Sequence, residues 1–217
     1  MAMEYQCSSI FNGISDQSCR QMMECFGAYE RRYSAGQTIC EYNRGSTIVG
    51  ILESGSASLI RIDVYGIRTI LETLVPGDVF GEVLAFSGLS EDSISVVCDK
   101  DATVLFFEYS HITHSCDNQC PHHTALLENM FRLIAQKSMA LSERIEVLSR
   151  RTIRDKLLCY FSLQSMRKGA HTFELPFSVS AMADYICSDR SAMMREMKNM
   201  REDGLIQADG RKITLLL

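Results

Sequence analysis

Between His122 and Leu148 the residues Leu127, Phe131, Ile134, Ser138, Leu141, Ile145 and Leu148 follow one another with gaps that alternate between four and three. All but Ser138 are apolar, and such a series keeps one narrow stripe on the same side of an α-helix over about three heptads. Pro121 falls in the first turn, where a helix tolerates proline, and neither glycine nor proline follows until Gly169. Leu126, Met130 and Leu133 form a second apolar set on a neighbouring face, while Glu128, Arg132, Lys137, Glu143 and Arg144 lie off the stripe. A long helix buried within its own domain is one reading. The continuous seam favours another, a helix that pairs with a second copy about a two-fold axis. The seam residues are then the expected dimer interface.

This helix separates two unlike regions. Ten of the 13 glycines fall at or before Gly88, and Gly36, Gly45, Gly55, Gly66, Gly77 and Gly88 recur about every ten residues. β-Favouring runs stand between them, at 47–52, 58–62, 69–71, 93–97 and 102–107. Short strands at this spacing predict an all-β barrel or roll. The first 30 residues, with Met22, Met23 and Phe26 at helical intervals, read as a short helical preface.

After Leu148 the helical pattern resumes. Ile153, Leu157, Leu158, Phe161 and Leu163 mark a helix that ends near Lys168-Gly169. A short strand is expected at 173–177, then helices at about 179–186 and 190–202, then a hairpin turning at Asp209-Gly210-Arg211. In the pair of short helices, Met182, Ala183 and Ile186 form one inner face and Met193, Met197 and Met200 the other, with Asp189 able to cap the second helix. Arg190, Ser191, Met194, Arg195 and Lys198 are left outward. A short helix with cations on its first half can enter a major groove, where guanidinium forks match guanine O6 and N7. The fold class is therefore α+β: a roll over 1–121, a dimerisation helix over 122–148 and a winged helix-turn-helix over 149–217.

The net charge of −5 conceals an asymmetry that agrees with this division. Residues 1–121 carry 7 Lys/Arg against 16 Asp/Glu, and residues 149–217 carry 12 against 8. The acidic part repels polyanions and the basic part attracts them. The chain starts without a charged head and apolar run, and no apolar stretch approaches the roughly 18 residues of a membrane span. A cytoplasmic protein without a membrane partner is expected. Its nine scattered cysteines suit thiols that fill apolar space, not a disulfide framework. No glycine-rich phosphate loop, nucleophile elbow or zinc-protease helix is present, which argues against an enzyme.

The run Leu74-Val75-Pro76-Gly77-Asp78-Val79-Phe80-Gly81-Glu82, the long helix and the segment from Ser178 to Ile206 resemble the cyclic-AMP-receptor/fumarate-nitrate-regulator (CRP/FNR) superfamily of bacterial transcription factors. The resemblance covers nearly the whole chain. It implies a cupin-like β-roll sensor for a small-molecule effector, a homodimer through the central helix, and a winged helix-turn-helix on near-palindromic double-stranded DNA. Two reading helices then stand about 34 Å apart, one turn of duplex. RNA polymerase is a further candidate partner.

The departures from that pattern are informative. Members that bind cyclic nucleotides carry an Arg-Ser or Arg-Ala pair about ten residues after the Gly-Glu, and its arginine meets the cyclic phosphate. Here the position holds Asp92-Ser93, preceded by Glu91. Carboxylates repel a phosphate, so cyclic AMP is not the expected effector; Gly81 and Glu82 are expected to serve structure, and with Asp92 and Ser93 they mark the candidate effector pocket. The family's Ser-Arg-Glu-x-x-x-x-Arg becomes Asp189-Arg190-Ser191 with Arg195, and its turn glycine becomes Cys187. Arg190 and Arg195 are the expected base readers, with Ser178, Ser180 and Lys198 on phosphates, and Asp189 and Ser191 complete the expected DNA-binding set.

Four of the five histidines gather at His111, His114, His122 and His123, together with Cys116 and Cys120. His111, His114 or His122 with the two thiols could supply a nitrogen and sulfur set for zinc or another soft metal, or act as a redox sensor. Polar packing and capping are the competing roles. Besides a DNA-binding regulator gated by an effector, the sequence admits a redox- or metal-sensing regulator and a sensory subunit that does not bind DNA.

Overall fold

The computed structural model describes residues 8–42, 47–87, 94–113, 122–176 and 178–216. Its contacts divide into two units, Met1–Ile134 and Ala135–Leu217. Among the described residues, no helix is long and apolar enough to cross a membrane.

The first unit opens with a 3-10 turn at Ser9–Phe11 and helix α1 at Asp16–Cys25. The Ser15 hydroxyl accepts the Ser18 N–H at 3.2 Å to cap α1, which buries Cys19, Met22 and Met23. Strands β1 (Tyr29–Tyr33), β2 (Thr38–Tyr42), β3 (Ile48–Ile62), β4 (Arg68–Leu74) and β5 (Val79–Phe80) follow. Then come α2 (Glu82–Ser87), β6 (Ile94–Glu108), α3 (Ser110–Thr113) and α4 (His123–Leu148).

Two fifteen-residue strands, β3 and β6, pair antiparallel along their length and make the spine of the roll. One end of that spine pairs with β1 and β5, and the other with β2 and β4. The sequence suggested separate strands at 47–52 and 58–62 with a turn at Gly55, and at 93–97 and 102–107. The structure corrects this: each pair of runs is one strand. Gly55 sits at φ +86°, where the β3–β6 register shifts repeatedly between Leu52 and Ala57. It bulges and bends the strand but does not reverse it. A Cβ there would lie 2.2 Å from the Asp101 carbonyl oxygen, so the two backbones meet only because residue 55 is glycine.

At the end that pairs with β1 and β5 both faces of the spine are buried, which explains why the runs at 47–52 and 102–107 do not alternate. Leu52, Phe80, Val96, Val104 and Phe106 fill the interior. Val49, Ile51, Leu105 and Phe107 pack outside it against α1, Leu126 and Met130. The buried Asn129 side chain donates to the Ile10 and Asn12 carbonyls, at 2.9 and 2.8 Å, and ties α4 to the N-terminal turn.

Helix α4 begins at His123, one residue after the expected start. The domain limits expected at its two ends contrast with a division that falls within it, between Ile134 and Ala135. Leu126 and Met130 enter the roll core, and Val147 enters the core of the second unit. Of the heptad stripe, Leu127 packs at the edge of the roll core and the other residues belong to neither core. Phe131, Leu141 and Ile145 are 71, 61 and 65 % exposed; Ser138 is exposed; Leu127, Ile134 and Leu148 are half-buried.

The second unit continues with α5 (Ile153–Lys168), β7 (Thr172–Glu174), α6 (Val179–Tyr185), α7 (Arg190–Glu202), β8 (Ile206–Asp209) and β9 (Lys212–Leu215). Thr152 caps α5 through the Asp155 N–H, and Gly169, at φ +61°, ends it with Arg167 and Lys168 in the last turn. The strands form an antiparallel sheet in the order β7-β9-β8.

The bulge gives a differential test. A Cβ at Gly66 (φ +78°) meets nothing within 4 Å. Gly66→Ala should therefore cost only the left-handed strain, about 1–2 kcal/mol. Gly55→Ala adds backbone overlap and should cost at least about twice as much in denaturant unfolding. Equal losses would show that the spine accommodates a side chain at residue 55.

Candidate nucleic-acid interface

The corner between α6 and α7 is built from backbone chemistry. The Ser178 hydroxyl accepts the Ala181 N–H at 3.2 Å and starts α6. The Cys187 N–H donates to the Asp184 carbonyl and the Ser188 N–H to the Ala183 carbonyl, closing the turn. Cys187 itself takes φ +51°. That conformation costs a non-glycine residue about 1–2 kcal/mol, so the surrounding contacts hold it there. The Asp189 carboxylate then accepts the Ala192 N–H at 2.9 Å, and its charge also suits the helix N-terminus.

With both ends set, α7 divides cleanly. Met193, Met197 and Met200 are buried with Met182, Ala183 and Ile186. Arg190, Ser191, Met194, Arg195 and Lys198 are exposed on the other side. Among the described residues neither Arg190 nor Arg195 has an ion-pair partner, whereas Lys198 lies 3.6 Å from Glu202. Of the expected DNA-contacting residues, Ser178 and Asp189 are engaged as caps and the other placed side chains are displayed. The Ser180 side chain lies outside the described ones.

Two residues that sequence reasoning passed over hold this motif in place. The Arg154 guanidinium on α5 meets Glu196 at 2.5 Å and Asp203 at 2.7 Å, gripping the middle of α7 and its C-cap. Lys156 donates to the Ile186 carbonyl at 2.9 Å, at the end of α6. On the other side of α6, Tyr185 packs edge-on to Tyr160, and Arg144 of α4 lies over its ring at 5.4 Å. Burial pushes the Tyr160 phenol upward from its ordinary value, and does the same to Tyr185. Behind the pair, β8 and β9 turn through Gly210 at φ +56°, with Arg211 salt-bridged to Glu174.

In the roll, the Pro76-Gly77-Asp78 run is a turn. The Asp78 carboxylate accepts the Val75 N–H at 2.8 Å, and the Gly77 N–H donates to the Leu52 carbonyl at 2.7 Å. Gly81 follows at φ +85°, and a Cβ on it would fall 2.0 Å from the buried Tyr42 hydroxyl. Glu82 is buried in the first turn of α2. Burial drives the Tyr42 phenol far above its ordinary range and the neighbouring Cys40 thiol to about 11, so both stay uncharged near neutrality. Asp92 and Ser93 lie outside the described residues.

His114, Cys116 and Cys120 also lie outside them. His111 packs edge-on to Phe26, and His122 is half-buried in the turn before α4. His123 is buried, with Nε2 2.6 Å from the Ile112 carbonyl oxygen. Among the described residues no group of three His, Cys, Asp or Glu could hold a metal ion.

Comparison with known proteins agrees with both halves. The cyclic nucleotide-binding domain family matches residues 30–119, and the Crp-like helix-turn-helix domain family matches residues 156–216. The transcriptional activator protein FnrL of Cereibacter sphaeroides is 23% identical over 193 residues, which cover 85% of this chain and 75% of that protein. Among solved structures, CprK complexed with OCPA aligns with a TM-score of 0.68 at 12% identity, covering 97% of each chain. The catabolite activator protein of Thermus thermophilus aligns at 0.54 and 20% identity, covering 96% of this chain and 93% of that one.

The Arg154 clamp can be isolated by a double-mutant cycle. Arg154→Ala and Glu196→Ala should each lower the thermal midpoint of the second unit, and the double variant should lose less than the two losses added. Full additivity would mean that the pair is not coupled.

Proposed function

Because this chain belongs to the CRP/FNR superfamily of DNA-binding transcription regulators, we propose that it works as a homodimer gated by an effector. The observation that carries the reading is the exposed cationic face of α7, with its inner face buried and both ends capped. The basic balance of residues 149–217 supplies attraction to phosphates independent of sequence, while the acidic roll keeps away from the duplex. Arg190 and Arg195 read base edges, Ser191 contributes at the start of the helix, and Lys198 exchanges its weak pairing with Glu202 for a phosphate.

The exposed stripe on α4 supports the dimer. Large apolar side chains in register on one helix face are costly in water, and a second copy covers them symmetrically. A two-fold axis along α4 makes the target near-palindromic, and RNA polymerase is the natural partner of the DNA-bound dimer.

The effector is a small organic molecule other than a cyclic nucleotide. Two observations support this. Asp92 occupies the sequence position at which the family's cyclic-nucleotide binders carry their phosphate-pairing arginine, and the Tyr42 ring accounts for the glycine at 81 without a ligand. The raised thiols at Cys40 and Cys19, both pushed to about 11 chiefly by burial, are poor redox sensors because so little thiolate forms. Metal or redox sensing through His111, His122 and the cysteines between them is the alternative signal. Gating is a shift between dimers whose reading helices do or do not fit adjacent grooves.

Two measurements test this. Arg190→Ala should weaken specific binding by about 1–3 kcal/mol and relax preference at one base pair per half-site; an unchanged preference removes its assignment. Phe131→Glu with Ile145→Glu should convert the protein to a monomer in sedimentation and abolish tight operator binding. A dimer that persists would sink the role of α4.

A further inference from the structure

The four methionines of α7 are not alike. Met193, Met197 and Met200 are at most 5 % exposed and carry the packing of the helix, whereas Met194 is 43 % exposed and belongs to no core. Its neighbours on that face are Arg190, Ser191 and Lys198, four and three residues before and four after, with Arg195 beside it. A large apolar side chain therefore stands in the middle of the cationic surface, where a polar residue would serve solubility better.

Base edges in the major groove offer hydrogen-bond donors and acceptors with one apolar exception, the C5-methyl group of thymine. A thioether can neither donate well nor match guanine, but its long unbranched chain adapts to a methyl at variable reach. We propose that Met194 is a specificity-determining residue that reads a C5-methylated pyrimidine, thymine in ordinary DNA, at one position per half-site. The inference rests on α7 being the reading helix. It adds a methyl-dependent position to those read by the two arginines, one that arginine chemistry cannot supply.

The test uses the full chain and a duplex selected from random sequence by its own binding. Each thymine of a half-site is replaced in turn by deoxyuridine, which lacks only the methyl. At one position the loss of the methyl should weaken binding about three- to tenfold. 5-Methylcytosine placed against guanine at that position should recover part of the loss relative to cytosine. Met194→Ala should bind thymine and deoxyuridine duplexes equally, and Met194→Leu should keep the discrimination. The thermal midpoint of each variant should stay that of the parent, because the side chain is outside the core. Methyl dependence that is absent, or that survives Met194→Ala, overturns the assignment and leaves the DNA-binding reading standing. A chain that selects no duplex at all overturns both.

Discussion

One helix is shared by two cores, and that sharing organises the protein. Helix α4 gives Leu126 and Met130 to the roll and Val147 to the winged-helix unit. Each commitment uses a different part of the helix surface, and of the heptad stripe Leu127 alone packs against one of these cores. Burying Phe131, Leu141 and Ile145 in either core would rotate the others out of it. Phe131, Leu141 and Ile145 therefore stay exposed on a helix whose other faces already supply core residues at both of its ends. Burial elsewhere exceeds what an exposed seam costs, since each large apolar side chain contributes about 1.5–3 kcal/mol when removed from water.

In the second unit, short-range chemistry fixes a surface that long-range chemistry then stiffens. Caps at Ser178 and Asp189 set where α6 and α7 begin, and buried methionines set how they lie together. Arg154 meets α7 in its middle and at its C-cap, and Lys156 meets the end of α6, so both helices are referenced to α5. A cationic face is useful for reading bases only if it is held in one orientation, since a loose helix would lose in entropy what each bidentate contact gains.

What could be read in the sequence was what depends on near neighbours. The long helix, the cap at Asp189, the inward methionines and the Asp209-Gly210-Arg211 turn are all spelled out within a few residues, and the structure holds each of them. Where the reading failed, the cause lies far away in the chain. Gly55 looks like any turn glycine until Asp101 is brought against it, and only then is a bulge required. Gly81 likewise needs Tyr42, and Arg154 needs Glu196 and Asp203. Strand β1, four of whose five residues are exposed, offered no apolar alternation to detect.

The bulge at Gly55 also bears on how the roll is reached by a folding chain. Pairing of β3 with β6 encloses the shortest loop at Arg61↔Ile94 and the longest at Ile48↔Glu108, so closure from the inner end meets the smaller entropic barrier. Zippering outward, the strands must cross the irregular stretch before the outer half can form. A slip by one residue would turn every side chain to the opposite face. The close approach of residue 55 to Asp101 admits one alignment, and so serves as an index mark by which the outer half of the roll finds its registration.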